Sequence, residues 1–236
     1  MKESERPNHP PLRVFVAGTD TAVGKTAISC ALLQAARRRR QRALPYKPAQ
    51  SGSEQPTDAE RLTLAADLPG LHADEVAPLQ YERPLAPGMA EDMRPFLQRE
   101  HPQDLSALTR VTHALASLEA QHHPHLTVIE GAGGLFVPMP GGTWQPTWIS
   151  HLCAPVLLIV RPNLGTINHT WLTLHALADA DIPVAGLVLN RGLIPESGED
   201  ESLDLNRQLL AAHPEAPLLG EIPRLDEAAN VTAQDS

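Results

Sequence analysis

The chain has 236 residues, and its 42% hydrophobic content can fill the core of one large α/β domain or two small ones. A net charge of −9 argues against nucleic acid or an anionic membrane as a general partner. The longest apolar runs, such as Val156 to Val160, fall far short of the roughly 20 residues needed to span a bilayer.

Met1 to Pro11 is polar, contains prolines and has no apolar signal core. It reads as a disordered leader on a cytoplasmic protein. Cys30 and Cys153, without metal-type spacing, read as buried thiols in a reducing cytosol.

Leu12 to Val16 is the first expected strand. Gly18-Thr19-Asp20-Thr21-Ala22-Val23-Gly24-Lys25-Thr26 follows, and then a segment of helical spacing. Strand, small-residue turn and a helix opening on Lys-Thr is the layout of a P-loop. Successive N–H groups at such a turn form a nest for phosphate oxygens. Lys25 would neutralise the outer phosphates, and the Thr26 hydroxyl would coordinate Mg²⁺. The usual pattern has glycine five residues before the second glycine. Thr19 stands there, with Gly18 one residue further out. The competing reading is an ordinary turn with a chance Gly-Lys-Thr.

In the helix, Ile28, Ala31, Leu32 and Ala35 follow the i, i+3, i+4, i+7 rule and predict one buried face. Arg37-Arg38-Arg39-Arg40-Gln41-Arg42 falls at its end, as a solvated terminus favoured by the helix dipole or as an anion patch. Ala43 to Tyr46 is a second strand. Pro48 blocks helix continuation, so Lys47 projects into a loop that runs through Ser51-Gly52-Ser53. There Lys47 is either solvated or paired with an anion beside the P-loop.

Asp58 opens a short helix patterned Ala59, Leu62, Ala65, Ala66, as its N-cap or as a metal ligand. Residues 68–103 are proline-rich and weakly periodic, the mark of a functional or mobile segment. Leu108, Val111, Leu115 and Leu118 predict another helix. His122, His123 and His125 follow without acidic or cysteine companions, so metal binding has little support there.

Leu126 to Ile129 is a strand ending in Glu130-Gly131-Ala132-Gly133-Gly134. Glu130 is a second candidate metal ligand or a surface turn carboxylate. Pro146 to His151 reads as a helix and Pro155 to Val160 as a fully buried strand. Arg161 to Gly165 is a loop, followed by a helix with Ile167, Trp171, Leu174 and Ala178 on one face. Val184 to Leu189 is a strand ending at Asn190, whose amide suits an adenine edge or a turn. Residues 201–213 read as helix, Pro217 to Leu219 as a last strand, and Gly220 to Pro223 as loop.

Alternating strands and helices predict an α/β fold: a single doubly wound, mostly parallel sheet flanked by helices, of P-loop NTPase type. One domain over residues 12–224 is expected, with a loose tail at 225–236. The P-loop, Lys47, Glu130, Arg161 to Gly165 and Asn190 all fall at strand carboxyl ends, where such folds bind ligands. No nucleophile elbow, zinc set or dinucleotide motif is present.

Five blocks resemble the signatures of dethiobiotin synthetases: Gly18 to Thr26, Tyr46 to Ser53, Val128 to Gly134, Leu164 to His169 and Leu218 to Pro223. The resemblance runs in order over about residues 12–224. It implies an ATP-dependent cyclo-ligase of biotin biosynthesis. Such an enzyme carboxylates 7,8-diaminononanoate with CO2 and closes the cyclic urea of dethiobiotin, using MgATP. It implies nucleotide contacts from Thr21, Ala22, Val23, Gly24, Lys25, Thr26, Gly131 and Gly133. Thr26, Asp58 and Glu130 would hold Mg²⁺. Lys47, Lys25 and Thr21 would serve catalysis, with Ser51 at the carbamate. Asn190, Ile222 and Pro223 would face adenine. A homodimer is implied, in which Gly165, Thr166, Ile167 and Asn168 of one subunit receive the substrate carboxylate of the other.

Two positions depart from the family. Ala22 stands where some members carry an acidic residue, and Pro87-Gly88 where members commonly have Pro-His. Three rivals differ in what they require. A cobyrinic-acid-type amidoligase needs a glutaminase domain, for which the chain has no room. A partition-type ATPase needs a basic surface and a lysine near the P-loop start, where Thr19 stands. An inactive nucleotide-binding paralogue would keep the P-loop without turnover.

Overall fold

The computed structural model describes residues 9–98, 102–193, 202–214 and 216–223. The leader before residue 9 and the tail expected at 225–236 lie outside them. Six strands build the central sheet: β1 (Leu12–Gly18), β2 (Ala43–Tyr46), β3 (Leu126–Glu130), β4 (Val156–Val160), β5 (Val184–Asn190) and β6 (Leu218–Ile222). Their order is β6-β5-β4-β1-β3-β2, and every pairing is parallel. β4 is buried at all five positions, which is why its sequence does not alternate. β1 lies between β3 and β4, where connections leave in opposite directions. Carboxyl ends of strands open a crevice at such a switch point.

The flanking helices are α1 (Lys25–Arg38), α2 (Asp58–Ala66), α3 (Ser106–His122), α4 (Gln145–Leu152), α5 (Thr166–Asp179) and α6 (Ser202–Ala211). α1 packs against α2, α3 against α4, and α5 against α6. In α3 the four residues picked out by spacing, Leu108, Val111, Leu115 and Leu118, are the buried ones. Ala59, Leu62, Ala65 and Ala66 are likewise buried in α2.

Two helix faces differ from the sequence expectation. In α1, Ile28 is buried but Ala31 is exposed; Ser29, Leu33 and Ala36 complete the inward face. In α5, Ala178 is exposed, and Thr170, Thr173, Leu174 and Leu177 face inward. Both helices bury small hydroxyl residues, which a purely apolar pattern skips. The cysteines also differ: Cys30 is half-buried and Cys153 exposed. Cys153 ends α4 in a left-handed conformation, at a surface turn.

Residues 68–103 are not one irregular loop. They hold the short helices Ala73–Val76, Pro87–Glu91 and Arg94–Leu97 and the strand Gln80–Tyr81. This segment runs alongside the chain that leaves β2. Lys47 N donates to Val76 O at 2.9 Å, Gln50 N to Leu79 O at 2.8 Å, and Gly52 N to Tyr81 O at 2.9 Å. It also buries Leu71, Val76, Ala77 and Leu79 in the core, but from elements too short to show a period.

α2 begins with a capping box. Thr57 Oγ1 accepts from Glu60 N, and Glu60 Oε2 accepts from Thr57 N at 2.7 Å. Thr57, not Asp58, is therefore the N-cap, and the Asp58 carboxylate is left for other work. Thr57→Ala is expected to cost about 0.5–2 kcal/mol of stability, read as a lower midpoint in urea unfolding.

Candidate active site

The turn after β1 carries two left-handed residues, Ala22 (φ 56°) and Gly24 (φ 90°). At Gly24 an added Cβ would run into the Asn190 amide, so both conformation and space require glycine. No side chain caps the start of α1. Its first-turn N–H groups have no intrahelical partner, which leaves them for an anion. Lys25, only 8% exposed, folds back over the loop: Nζ donates to Asp20 O at 3.1 Å and Gly133 O at 2.7 Å. Burial pushes its ammonium down to about 8; Glu130 opposes this shift and Lys47 adds to it.

Next to the loop, Lys47 meets both candidate carboxylates. Its Nζ lies 2.7 Å from Glu130 Oε1 and 2.8 Å from Asp58 Oδ2. Burial alone would lower the Lys47 pKa, but Glu130 and Asp58 outweigh it and hold the group above its ordinary value. Burial likewise pulls Asp58 upward, and the Lys47 charge with hydrogen bonds from Lys47 and Thr26 brings it below the usual carboxylate range. Thr26 Oγ1 donates toward Asp58 Oδ1 at 3.0 Å and Glu130 Oε1 at 2.9 Å. Glu130 Oε2 is buried and accepts no hydrogen bond from any described residue. Two carboxylates and a hydroxyl, with one buried carboxylate oxygen still to be satisfied, form a donor set that fits Mg²⁺.

A cleft of about 560 Å³ opens beside these groups, lined by Thr21, Gln50, Ser51, Asp58, Ala132 and Gly133 among others. Thr21, Ser51, Asp58 and Gly133 were all expected from the sequence. Gly131 backs the site rather than facing it: an added Cβ would sit 2.7 Å from the Phe15 ring and 2.8 Å from Gln145 Oε1. Gly165, Thr166, Ile167, Asn168, Asn190, Ile222 and Pro223 do not line this cleft. Asn190 is buried behind the P-loop, where Nδ2 donates to Val23 O at 2.9 Å and Oδ1 accepts from Gly192 N at 3.1 Å. Gly220 to Ile222 belong to strand β6 instead of the expected loop.

Sequence reasoning passed over several supports. Gln145, fully buried, accepts from Ala132 N at 2.7 Å and donates to Gly134 O at 3.0 Å, clamping the glycine turn after Glu130. Gln145 stands just before Pro146 in the first turn of the helix, a position with no signal of its own in the sequence. Gln50 Oε1 accepts from Ala59 N at 2.9 Å and so ties the Lys47 loop to the start of α2. The histidines after α3 serve the backbone: His123 ends the helix in a left-handed conformation, and His125 Nδ1 accepts from Arg42 N. Among the described residues, no three His, Cys, Asp or Glu side chains gather as a metal cluster.

Comparisons with known proteins agree with this geometry. A family model described as an AAA domain matches residues 12–232. The ATP-dependent dethiobiotin synthetase of Anaeromyxobacter dehalogenans strain 2CP-C is 42% identical over 201 residues, covering 84% of this chain and 83% of that protein. The chain belongs to the dethiobiotin synthetase family. The Salmonella typhi dethiobiotin synthetase is 38% identical over 219 residues, covering 90% of each. At the level of fold alone, a plasmid partition protein from Borrelia burgdorferi superposes with a TM-score of 0.56 at 11% identity, covering 96% of both chains. The septum site-determining protein MinD of Pyrococcus horikoshii, complexed with Mg-ADP, gives 0.54 at 14% identity, over 95% of this chain and 86% of that one.

The dethiobiotin synthetase departure at Gly88 has a steric basis. A Cβ on Gly88 would sit 2.5 Å from Met139 O and 2.8 Å from Met139 N, so the position closes against backbone and has no room for an imidazole. Gly88→Ala is expected to cost about 1–3 kcal/mol, measured by thermal unfolding. A second expectation concerns pH. Lys25 loses its charge as pH rises through about 8, whereas bound phosphate favours the charged form. ATP binding should therefore draw in a proton near and above about pH 8 and almost none near about pH 6, as calorimetry in buffers of unequal ionisation enthalpy can read.

Proposed function

We propose that the chain is an ATP-dependent dethiobiotin synthetase that converts 7,8-diaminononanoate, CO2 and ATP to dethiobiotin, ADP and phosphate. The observation that carries this reading is the meeting of Lys47, Thr26, Asp58 and Glu130 beside a P-loop, in a member of that family. One amine of the diamine adds CO2 to form a carbamate. A carbamate oxygen attacks the γ-phosphorus of ATP and ADP leaves, giving a mixed carbamic–phosphoric anhydride. The second amine attacks the anhydride carbonyl and expels phosphate, closing the ring.

Phosphoryl transfer of this kind asks for positioning and neutralisation more than covalent help. The Thr21 to Thr26 turn with Gly133 holds the triphosphate, and Lys25 turns its ammonium from Gly133 O to the outer phosphates. Thr26, Asp58 and Glu130 hold Mg²⁺, which supplies further positive charge to the phosphate oxygens. Lys47 meets the carbamate and the transferring phosphoryl group, with Ser51 and Thr21 at the cleft wall. A carbamate already bears its charge, so the phosphoryl step itself asks for no general base; the protons released as the carbamate forms and as the ring closes pass to solvent and to the departing phosphate. Ile222 and Pro223 border adenine, and Asn190, whose amide is taken up by Val23 O and Gly192 N, braces the P-loop from behind. Residues 12–224 form one domain, and the enzyme acts in the cytoplasm as a homodimer. The start of α5, from Gly165 to Asn168, serves the neighbouring subunit's substrate carboxylate, as a helix N-terminus suits.

The test is ATP turnover with the diamine and bicarbonate, followed by mass analysis of the product. ATP hydrolysis should rise with the diamine, and the product should carry the mass of diamine plus CO2 less water. Lys25→Gln should abolish both. Turnover that ignores the diamine and responds to DNA would favour a partition-type ATPase.

A further inference from the structure

Arg161 follows β4 on the strand beside the P-loop. Gly18 pairs with Ile159, so two residues further along, Asp20 and Arg161 leave the sheet side by side. Arg161 Nη2 lies 3.0 Å from Asp20 Oδ2 and 3.3 Å from Thr21 O. Asp20 is bound into the loop at both ends. Its Oδ1 accepts from Thr21 N at 2.7 Å, and its carbonyl accepts from Lys25 Nζ at 3.1 Å.

A carboxylate in this position raises an electrostatic problem. The loop exists to receive a polyanion, and an uncompensated Asp20 would repel it. Like charges several ångströms apart near a surface repel one another, less so as salt screens them. The carboxylate also has a structural use, because Oδ1 fixes the Thr21 peptide at the cleft edge. A cation from the adjacent strand lets the loop keep that hydrogen bond without the net charge.

We propose that Arg161 is a positioning residue for nucleotide binding: it cancels the Asp20 charge at the mouth of the P-loop, so that the loop accepts triphosphate. The inference rests on the assignment of the triphosphate to Gly24, Lys25 and Thr26. Lys25 reaches Asp20 only through its backbone carbonyl and Lys47 pairs with Glu130 and Asp58, so Arg161 is the cation paired with the Asp20 carboxylate. Arg161 thus acts through Asp20, while its own guanidinium stays at the loop's outer edge, about one third exposed (34%).

The experiment is a charge cycle on MgATP affinity, measured by calorimetry at low and high salt. Arg161→Met should weaken binding about five- to tenfold at roughly 50 mM salt, with a smaller loss at roughly 300 mM. Saturated turnover should stay within about twofold, so the effect falls on KM rather than kcat. Arg161→Lys should bind within about twofold of the unmodified protein, because it keeps the charge. Asp20→Asn keeps the oxygen that accepts from Thr21 N. The double variant D20N/R161M should match D20N within about twofold, since no carboxylate remains to be cancelled. Arg161→Gln supplies the same test should the methionine variant fold poorly. Three results would overturn the inference: unchanged affinity in R161M, an equal loss in R161K, or a double variant as far below D20N as R161M is below the unmodified protein. Failure of the triphosphate assignment itself is read separately, as ATP binding that survives Lys25→Gln.

Discussion

Lys47 carries its charge almost wholly out of water, at 5% exposure, between Glu130 and Asp58. An isolated ammonium buried this way would shed its proton. Two carboxylates within hydrogen-bonding reach keep it charged, and Thr26 draws the same two carboxylates together from the helix side. The site depends on this arrangement, because it sets a phosphate-facing lysine, a metal-competent oxygen set and the P-loop within one cluster. Lys47 holds Glu130 Oε1 and Asp58 Oδ2, and Glu130 Oε2 is left over, so Lys47 shares its two carboxylates with the candidate metal site.

Sheet register makes the cluster possible. Tyr46 and Phe15 both pair with Ile129, so Lys47 and Glu130 come level beside Val16, and β1 runs on to Gly18 before the P-loop begins. Lys47 comes from β2, Glu130 from β3 and the P-loop from β1. Asp58 is delivered separately, by a helix whose capping box uses Thr57 and Glu60 and so frees the aspartate. The proline-containing segment from Ala73 to Tyr81 then fixes the backbone that follows Lys47. A short parallel sheet with its carboxyl ends aligned thus converts sequence-distant groups into neighbours, which is the general behaviour of this architecture.

Much of this was legible in the sequence. Strand ends could be read because apolar β-runs stop at Val16, Tyr46, Ile129 and Leu189, and the chemistry follows each stop. The P-loop, Lys47 and Glu130 were found in that way and Asp58 as the opening of a helix, and their side chains do converge. What could not be read is what tertiary packing decides. Ala31 and Ala178 fit an apolar period yet face water, because the inward places go to Ser29 and Thr173. Asp58 and Thr57 are both good caps by type, and only the reciprocal bonds of Thr57 with Glu60 distinguish them. Gln145 and Arg161 act on loops far from them in sequence, through side-chain–backbone and ion-pair contacts that leave no periodic trace. Residues 68–98 looked irregular because their helices and strand are too short to show a period.

The account stands on Thr26, Asp58 and Glu130 acting as one oxygen site shared with Lys47. A crystal structure with Mg²⁺ and a non-hydrolysable ATP analogue tests this most directly. The account predicts the ion beside Thr26, Asp58 and Glu130 and against a phosphate oxygen, with Lys47 in the same cluster. An ion held elsewhere over a bound triphosphate, away from those three residues, would contradict it.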